Sequence, residues 1–176
     1  AGHCYGYGET VSQGGSIIGT VSMSREGPNS DAAAIRINAG ASDASYYLYG
    51  SSLGIRNRFD QPESTNNDEV IGQQVCKSGK ITGVTCGPLV ERNMRITNEN
   101  GKTIDRMRFA AYVSDDGDSG SPVYVVNMNL PYRNRLAGVH SGVIDSSSNP
   151  NYVGLKTYSH ASWVKSDIGL DTILIS

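Results

Sequence analysis

The sequence has little of what helical bundles or membrane proteins require. Only 38% of its 176 residues are hydrophobic and 18% are charged, while 21 are glycine. A helical bundle or coiled coil needs more Leu, Ala, Glu and Lys, so neither is favoured. No apolar run approaches the roughly 20 residues of a membrane helix, and no basic and apolar signal segment opens the chain.

The chain also lacks a strong charge of either sign. Fifteen Lys and Arg residues against 17 Asp and Glu give a formal net charge of −2. Proteins that bind nucleic acid or an anionic membrane carry a basic patch, so neither partner is expected. Cysteine is scarce, and the three cysteines have no further Cys or His at zinc-site spacing, so no metal is expected either.

What the sequence does have is short apolar runs with β-branched or aromatic members, bounded by turn-forming residues. Such runs are typical of strands. The predicted strands are residues 16–23, 31–37, 46–49, 70–75, 94–97, 106–113, 122–128, 136–144 and 173–175. Helical patterns between these strands are missing, which disfavours a βαβ fold and predicts an antiparallel sandwich or barrel.

One helix is predicted, near the end of the chain. Ser159 could cap a segment in which Ala161, Val164 and Ile168 recur at helical spacing, and Gly169 stands where a C-terminal cap belongs.

The most polar stretch, residues 56–69, contains Pro62 and shows no apolar pattern. It is typical of a surface loop or of a linker between two units. The length of the chain suits either one ordinary domain or two small barrels.

The strongest chemical signal is the hexapeptide GDSGSP at 117–122. A serine between glycines at a sharp turn is what an exposed nucleophile needs, and the turn can aim the amides of Gly117 and Ser119 at one point. A serine hydroxyl is a poor nucleophile until a base takes its proton, so a histidine and a group that orients it are also required. Taken alone, the peptide is equally consistent with a hairpin turn.

Three histidines could supply the base: His3, His140 and His160. His3 stands in the peptide AGHC, and Asp31 opens the apolar strand DAAAIRI, where a carboxylate could orient an imidazole. Asp43 is the rival carboxylate, but it lies in the loop-like peptide GASDA. Asp31 is therefore preferred.

With His3, Asp31 and Ser119 in this order, the chain resembles the chymotrypsin-fold serine proteases. It is most similar to their compact secreted bacterial branch (streptogrisin and α-lytic type) and more weakly similar to the glutamyl endopeptidases. AGHC resembles the family's histidine motif, SDAA its aspartate strand and GDSG its nucleophile motif. Residues 75–87, VCKSGKITGVTCG, resemble the bacterial disulfide loop.

The resemblance implies an all-β fold of two antiparallel six-stranded Greek-key barrels with a C-terminal helix. Residues 1–60 would form the remainder of the N-terminal barrel, which lacks its opening strands. Residues 61–176 would contain the linker, the C-terminal barrel and the helix.

The resemblance also implies a secreted serine endopeptidase that forms an acyl-enzyme intermediate and uses no metal or organic cofactor. Ser119 would attack the peptide carbonyl, His3 would take and return the proton, and Asp31 would orient the imidazole. The oxyanion hole is expected at the backbone N–H groups of Gly117 and Ser119.

The remaining implied interactions concern Asp118 and the cysteines. Asp118 is expected to pair with Lys77, which stands where the family usually carries Arg, and a solvated Lys77 is the alternative. Cys76 and Cys86 enclose a short loop that suits a disulfide and indicates secretion. Cys4 is left over, since its partner in the family lies upstream.

The expected specificity pocket is made of Val113, Ser114, Asp116, His140, Ser141 and Val143. Val113 stands where trypsin-like enzymes carry an aspartate, which argues against a Lys or Arg preference. His140 resembles a residue of the glutamate-specific branch, whereas Asp115 and Asp116 would repel an acidic side chain. A glutamate preference and an apolar or mixed preference both stay open. A buried, hydrogen-bonded His140 is the structural alternative, and His160 is expected at the surface.

A non-catalytic homologue, acting as a binding or structural module, is the competing class. All three triad residue types are present, which disfavours it. The opening strands of the first barrel are not in the sequence, and their absence would leave strand edges unpaired. We therefore expect the larger fragment of a processed precursor, with an upstream fragment completing the first barrel through, for example, a disulfide to Cys4. A polypeptide substrate is the other expected partner.

Overall fold

The computed structural model describes residues 1–38, 48, 58–61, 69–98, 100–126 and 133–170, with 58–61 and 133 described by their backbone alone. The strands in these ranges are β1 (Thr10–Gln13), β2 (Ser16–Glu26), β3 (Asp31–Ile37), β4 (Arg58–Gln61), β5 (Gln74–Gly79), β6 (Gly83–Thr97), β7 (Thr103–Ala110), β8 (Pro122–Val126), β9 (Arg133–Val143) and β10 (Lys156–His160). One α-helix, α1 (Ala161–Asp167), and two short 3-10 helices, Gly2–Cys4 and Pro150–Tyr152, complete the described elements. Within these ranges, no helix has the length and apolar character to cross a membrane.

The second sheet is a closed antiparallel barrel. Its order is β10-β7-β6-β5-β8-β9, and β10 also pairs with β9, so six strands form a ring. The strand β4 lies outside this ring and runs parallel to β9. Closure leaves no free edge within the ring. The interior is filled by Val75, Leu89, Ala110, Tyr112, Val123, Ala137 and Tyr158. The predicted antiparallel barrel is confirmed.

The first sheet is smaller and open. It has the order β1-β2-β3, all antiparallel. Val21 of β2 and Ala32 of β3 are its buried hydrophobic residues on these two strands. Three isoleucines on β2 and β3 are exposed: Ile17 by 61%, Ile35 by 36% and Ile37 by 42%. Among the strands that the structure describes, none pairs with the outer edges of β1 or β3, so both edges of this sheet are open within the described ranges.

The predicted C-terminal helix is confirmed as α1, but its cap differs by one residue. The His160 Nδ1, not Ser159, accepts the Ser162 N–H at 3.2 Å. Gly169 has a φ of +66°, which fits its predicted place after the helix. The prediction that His160 lies at the surface is wrong, since this residue is 0% exposed. His160 is the last residue of β10 and α1 follows it directly, so no exposed loop separates the two elements at this point.

The strands predicted at 16–23, 31–37, 94–97 and 136–144 are confirmed by β2, β3, β6 and β9, and β8 confirms the described part of 122–128. The predicted strand 106–113 is displaced, because β7 begins at Thr103 and ends at Ala110. The strands β1, β4 and β10 were not predicted, and β4 lies within the stretch 56–69 that was expected to be a loop or linker. The prediction at 173–175, and that at 46–49 except for Leu48, lie outside the described residues.

The strand predicted at 70–75 begins later than expected. Val70 and Ile71 are 64% and 50% exposed and belong to a turn. Gly72, at a φ of +88°, supplies the left-handed conformation that this turn needs. β5 therefore starts only at Gln74. The prediction places the start of the strand too early, because Val70 and Ile71 are apolar but belong to the turn before it.

The polar stretch 56–69 does not end at the surface. Glu69 is 2% exposed, and its carboxylate lies 2.7 Å from the Arg108 Nε and 3.0 Å from the Tyr158 Oη. Burial raises the pKa of Glu69, against the opposing charge of Arg108. The expectation of a solvated residue is wrong here because a buried cation compensates the charge. The division of the chain into two units near this stretch stays a prediction.

Candidate active site

Asp31 is the first residue of β3, and its side chain is 1% exposed. One carboxylate oxygen accepts the His3 backbone N–H at 2.9 Å, and the other lies 2.5 Å from the His3 Nδ1. The Ser141 hydroxyl, from β9, also donates to this carboxylate at 2.5 Å. The structure thus brings the predicted base and its orienting acid together, and it adds a contact to Ser141 that the sequence did not suggest.

The position of His3 depends on the glycine before it. A β-carbon on Gly2 would lie 1.8 Å from the Arg25 carbonyl oxygen, so only glycine lets this 3-10 turn lie against β2. The Ser24 hydroxyl donates to the Gly2 carbonyl at 2.8 Å and fixes the turn. The turn is therefore held on β2 through Gly2, and His3 is held by Asp31 at both its backbone N–H and its ring.

The contact between His3 and Asp31 is strongly charged. The hydrogen bond with Asp31 raises the pKa of His3 from 6.5 to about 10, and a hydrogen bond with the Cys4 thiol adds to the effect. Burial raises the pKa of Asp31, but the hydrogen bonds from His3 and Ser141 outweigh it and leave the pKa below its usual value. The folded state holds the imidazole proton more tightly than an unfolded chain does. The pair therefore stabilises the fold fully between about pH 3.8 and 6.5, the ordinary pKa values of Asp31 and His3. This contribution is lost as the pH rises towards 10, where His3 loses its proton, and as it falls through the lowered pKa of Asp31.

Ser119 lies in a tight loop between two glycines of left-handed conformation. Gly117 has a φ of +94° and Gly120 a φ of +91°, values that other residues rarely adopt. The Ser119 hydroxyl donates to the Ser141 carbonyl oxygen at 2.9 Å. In the described part of the chain, this carbonyl and not an imidazole nitrogen is its hydrogen-bond acceptor.

The backbone amides of the same loop fall into two groups. The N–H groups of Asp118, Gly120 and Ser121 donate to carbonyl oxygens at 3.0, 2.9 and 3.0 Å. Outside the regular strands and helices, no carbonyl of the described residues accepts a hydrogen bond from the N–H groups of Gly117 and Ser119. These are the two amides that the sequence predicts for an oxyanion hole.

Asp118 is fully buried beneath this loop, at 0% exposure. Its carboxylate lies 2.9 Å from the Lys77 Nζ and 2.6 Å from the Thr82 hydroxyl, and it accepts the Ile81 N–H at 2.8 Å. Burial raises the pKa of Asp118, but the hydrogen bonds from Thr82 and Lys77 outweigh it and hold the pKa far below its usual range.

Lys77 is likewise 0% exposed, so the alternative of a solvated lysine is wrong. Its ammonium group also donates to the Thr82 hydroxyl at 2.6 Å and the Gly83 carbonyl at 3.2 Å. A compact point charge with three donors satisfies this site without the fork of an arginine. Sequence reasoning missed Thr82, although it lies within the disulfide-loop peptide.

A cavity of about 1030 Å³ opens beside the nucleophile. His3, Asp31 and Ser119 all line it. Of the residues predicted for the specificity pocket, Ser141 and Val143 line this cavity, whereas Val113, Ser114, Asp116 and His140 do not. The opposite wall is formed by the β6–β7 hairpin, including Ile96 and Asn98. The cavity therefore continues well beyond the three predicted catalytic residues.

His140 is 2% exposed, which agrees with the alternative prediction of a buried, hydrogen-bonded histidine. Its Nδ1 lies 3.0 Å from the Tyr112 hydroxyl and 3.1 Å from the Thr157 carbonyl oxygen. Burial, together with the charge of Lys77, lowers the pKa of His140 to about 4. The imidazole is therefore uncharged at neutral pH.

The predicted disulfide between Cys76 and Cys86 is confirmed, with an S–S distance of 1.99 Å, at a paired position of β5 and β6. Cys4 is a free, exposed thiol. Three or more His, Cys, Asp or Glu side chains do not converge on a possible metal position anywhere in the described ranges.

Two known proteins are related to this chain in sequence. Glutamyl endopeptidase 2 of Streptomyces griseus is 31% identical over 147 residues, which cover 81% of this chain and 69% of that protein. Serine protease 1 of Streptomyces fradiae is 30% identical over 148 residues, covering 81% of this chain but 36% of that protein. No protein-family model matches.

Solved structures share the fold. The chymotrypsin of Cellulomonas bogoriensis has a TM-score of 0.74 at 24% identity, covering 99% of this chain and 84% of that one. A glutamic acid specific serine protease, described as using a novel histidine triad in substrate binding, has a TM-score of 0.72 at 25% identity, covering 98% and 83%.

The closed barrel, the open first sheet and the cavity lined by a histidine, an aspartate and a serine are those of a serine endopeptidase of chymotrypsin type. The chain belongs to the chymotrypsin-fold serine proteases of bacteria.

The charge of His3 can be tested by titration. We expect the NMR titration midpoint of the His3 ring to lie well above 6.5 and to fall towards 6.5 in Asp31→Asn, because the largest cause of the raised pKa is removed. Asp145→Asn, which changes another carboxylate lining the cavity, should leave the midpoint in place. An unchanged midpoint in Asp31→Asn would contradict this assignment.

Proposed function

We propose that the chain hydrolyses peptide bonds through a triad of His3, Asp31 and Ser119 and an acyl-enzyme intermediate. The observation that carries this proposal is the 2.5 Å contact between the His3 Nδ1 and the buried Asp31 carboxylate, in the cavity that Ser119 also lines. Structural acid–histidine pairs are common, but this one opens onto a serine held in a glycine turn.

The contacts assign a role to each nitrogen of His3. The Nδ1 faces Asp31, so the Nε2 is the nitrogen that takes the proton of the Ser119 hydroxyl. It can do so only after the imidazolium has lost the Nε2 proton, and the raised pKa of His3 shifts that loss to higher pH. The hydroxyl must first leave the Ser141 carbonyl, which a rotation about the serine χ1 accomplishes. The proton then passes from His3 to the leaving amine, and water repeats the sequence to release the acid.

The Gly117 and Ser119 amides, for which the described residues outside the strands and helices provide no carbonyl acceptor, supply the electrostatic part. The N–H groups of Gly117 and Ser119 would donate to the oxyanion of the tetrahedral intermediate. The carboxylate of Asp118 keeps the loop in this shape, since Lys77 and Thr82 bind it from below. We assign these residues to support of the loop, without contact with the substrate.

A non-catalytic module is the alternative, and one observation favours it. The Ser119 hydroxyl donates to a carbonyl and is not aligned with a base. In a triad protease this arrangement must be a resting state, whereas in a binding module it would be permanent.

A fluorophosphonate distinguishes the two. We expect stoichiometric labelling of Ser119, none in Ser119→Ala, and a loss of peptide hydrolysis in that variant on the order of 10⁴-fold or more, because the nucleophile is gone. Ser148→Ala removes another exposed serine lining the cavity and should retain both labelling and hydrolysis. A folded chain that neither labels nor cleaves would establish the binding module.

We further propose that the primary pocket prefers an uncharged side chain. His140 carries no charge at neutral pH, and Asp115 and Asp116 are exposed carboxylates just before the nucleophile loop. An acidic side chain would meet this negative charge without a cation.

Glutamate is the competing preference, supported by the 31% identity with glutamyl endopeptidase 2. If the Tyr112 hydroxyl donates to the His140 Nδ1, the Nε2 carries a proton and can donate to a carboxylate. The contacts given for the three histidines are to other groups: the His3 Nδ1 contacts Asp31, the His140 Nδ1 contacts Tyr112 and Thr157, and the His160 Nδ1 contacts Ser162.

Peptides that differ only at the residue before the scissile bond test the preference. We expect Leu or Val to be cleaved faster than Glu or Lys, with His140→Ala changing the ratio of Leu to Glu by less than about tenfold, or about 1.4 kcal/mol. A Glu preference that His140→Ala abolishes would overturn the proposal and establish the imidazole as the carboxylate receptor.

We also propose that the protein is secreted and that Cys4 pairs with a cysteine of a further polypeptide segment covering the first sheet. The Cys76–Cys86 disulfide supports an oxidising compartment. Exposed Ile17, Ile35 and Ile37 offer an apolar surface on the first sheet, and Cys4 is a free, exposed thiol. Mass spectrometry of the unreduced protein recovered from its source should show Cys4 in a disulfide with that segment. A free thiol in active protein would contradict the pairing.

A further inference from the structure

Asp167, the last residue of α1, makes a set of contacts that the catalytic proposal does not use. One carboxylate oxygen accepts the Asn29 backbone N–H at 3.0 Å and the Ser30 hydroxyl at 2.9 Å. The other accepts the Asn29 side-chain amide at 3.2 Å. The Asp167 backbone carbonyl also receives the Arg25 Nε at 3.3 Å. A residue of the C-terminal helix thus binds the β2–β3 turn of the first sheet from three donors on two consecutive residues.

These two residues directly precede Asp31. Ser30 is 0% exposed, and the next N–H in the chain, that of Asp31, donates to the Ser159 hydroxyl at 2.8 Å. Three consecutive residues are therefore hydrogen-bonded to β10 and α1: Asn29 and Ser30 to Asp167 of α1, and Asp31 to Ser159 of β10. Any shift of this turn would move the Asp31 carboxylate away from the His3 ring.

The stability of the helix does not explain a carboxylate at this place. The C-terminal end of a helix carries partial negative charge, and an acidic residue there is unfavourable. The helix is instead fixed on β3 by packing, since Val164 and Ile168 are buried against Ala32. The packing brings the carboxylate to its donors, and the donors compensate its charge.

We propose that Asp167 is a positioning residue for the His3–Asp31 pair, because it holds the Asn29–Ser30 turn so that Asp31 keeps both of its oxygens on His3. This role rests on the proposed function. Asp167 does not line the cavity, so it acts on catalysis only through the turn.

The test is a graded pair of substitutions in the full chain. Asp167→Ala removes all three carboxylate contacts, and Asp167→Asn keeps one acceptor oxygen but replaces the other by a donor. We expect kcat to fall by about tenfold in Asp167→Ala and by less in Asp167→Asn, with KM unchanged, because a small misplacement of a catalytic group costs rate without affecting substrate binding. The His3 titration midpoint should fall in the same order, short of its value in Asp31→Asn.

A matched control separates positioning from loss of stability. Val164→Ala weakens the packing of the same helix but keeps the Asp167 carboxylate, so it should lower Tm without moving the His3 midpoint. If Val164→Ala shifts the midpoint as much as Asp167→Ala at an equal loss of Tm, the proposal is overturned. It is also overturned if Asp167→Ala, folded, changes neither kcat nor the midpoint.

Two further measurements keep the test decisive. Should Asp167→Ala not fold, Ser30→Ala deletes only the 2.9 Å bond, and a midpoint unchanged from the wild type would then contradict the proposal. The titration does not need catalysis. A wild-type chain that fails to cleave peptides, but whose midpoint still falls in Asp167→Ala, would disprove the proposed function and leave the positioning role intact.

Discussion

The buried carboxylate of Asp31 is the constraint on which the arrangement of the site depends. An ionised group without water is costly by several kcal/mol unless charged or hydrogen-bonding partners surround it. Here the partners of the carboxylate come from two places: the His3 backbone and ring from the N-terminal turn, and the Ser141 hydroxyl from β9. The backbone N–H of Asp31 adds a third contact, to the Ser159 hydroxyl of β10. These contacts fix the first sheet on the second sheet, and in this position His3 and Ser119 line the same cavity.

The same rule organises the rest of the described chain, where Asp31, Glu69 and Asp118 are the buried acids. Each one joins segments that are distant in sequence: Asp31 reaches Ser141, Glu69 reaches Arg108, and Asp118 reaches Lys77. Apolar packing in the barrel supplies most of the driving force for folding, but it is not directional. The paired acids add direction, because breaking one leaves an uncompensated charge inside the protein. Two of the three also support the proposed catalytic machinery, so stability and positioning depend on the same contacts.

Local sequence patterns predicted the features whose signal lies within a few residues. The GDSGSP turn, the strand that begins at Asp31, the Cys76–Cys86 loop and the helix that ends before Gly169 are of this kind. What the patterns could not show is which polar residues find a buried partner. Glutamate and histidine are residue types often found at protein surfaces, so the local sequence does not mark Glu69 and His160 as buried. Their burial depends on groups far along the chain. The contacts of Thr82 and Asp167 were missed for the same reason, since a threonine or an aspartate carries no local mark of its acceptor or donor.

The groups that bind the Asp118 carboxylate determine which part of the fold shapes the loop around Ser119. The groups that bind this carboxylate are the Lys77 ammonium, the Ile81 and Thr82 amides, the Thr82 hydroxyl and the Asp115 amide. All of them belong to the β5–β6 hairpin or to the loop itself, and none to the first sheet. The shape of the loop that carries the Gly117 and Ser119 amides thus depends on its contacts with the β5–β6 hairpin. In the proposed mechanism this loop would bind the oxyanion, whereas the base, His3, is held by Asp31 of the first sheet.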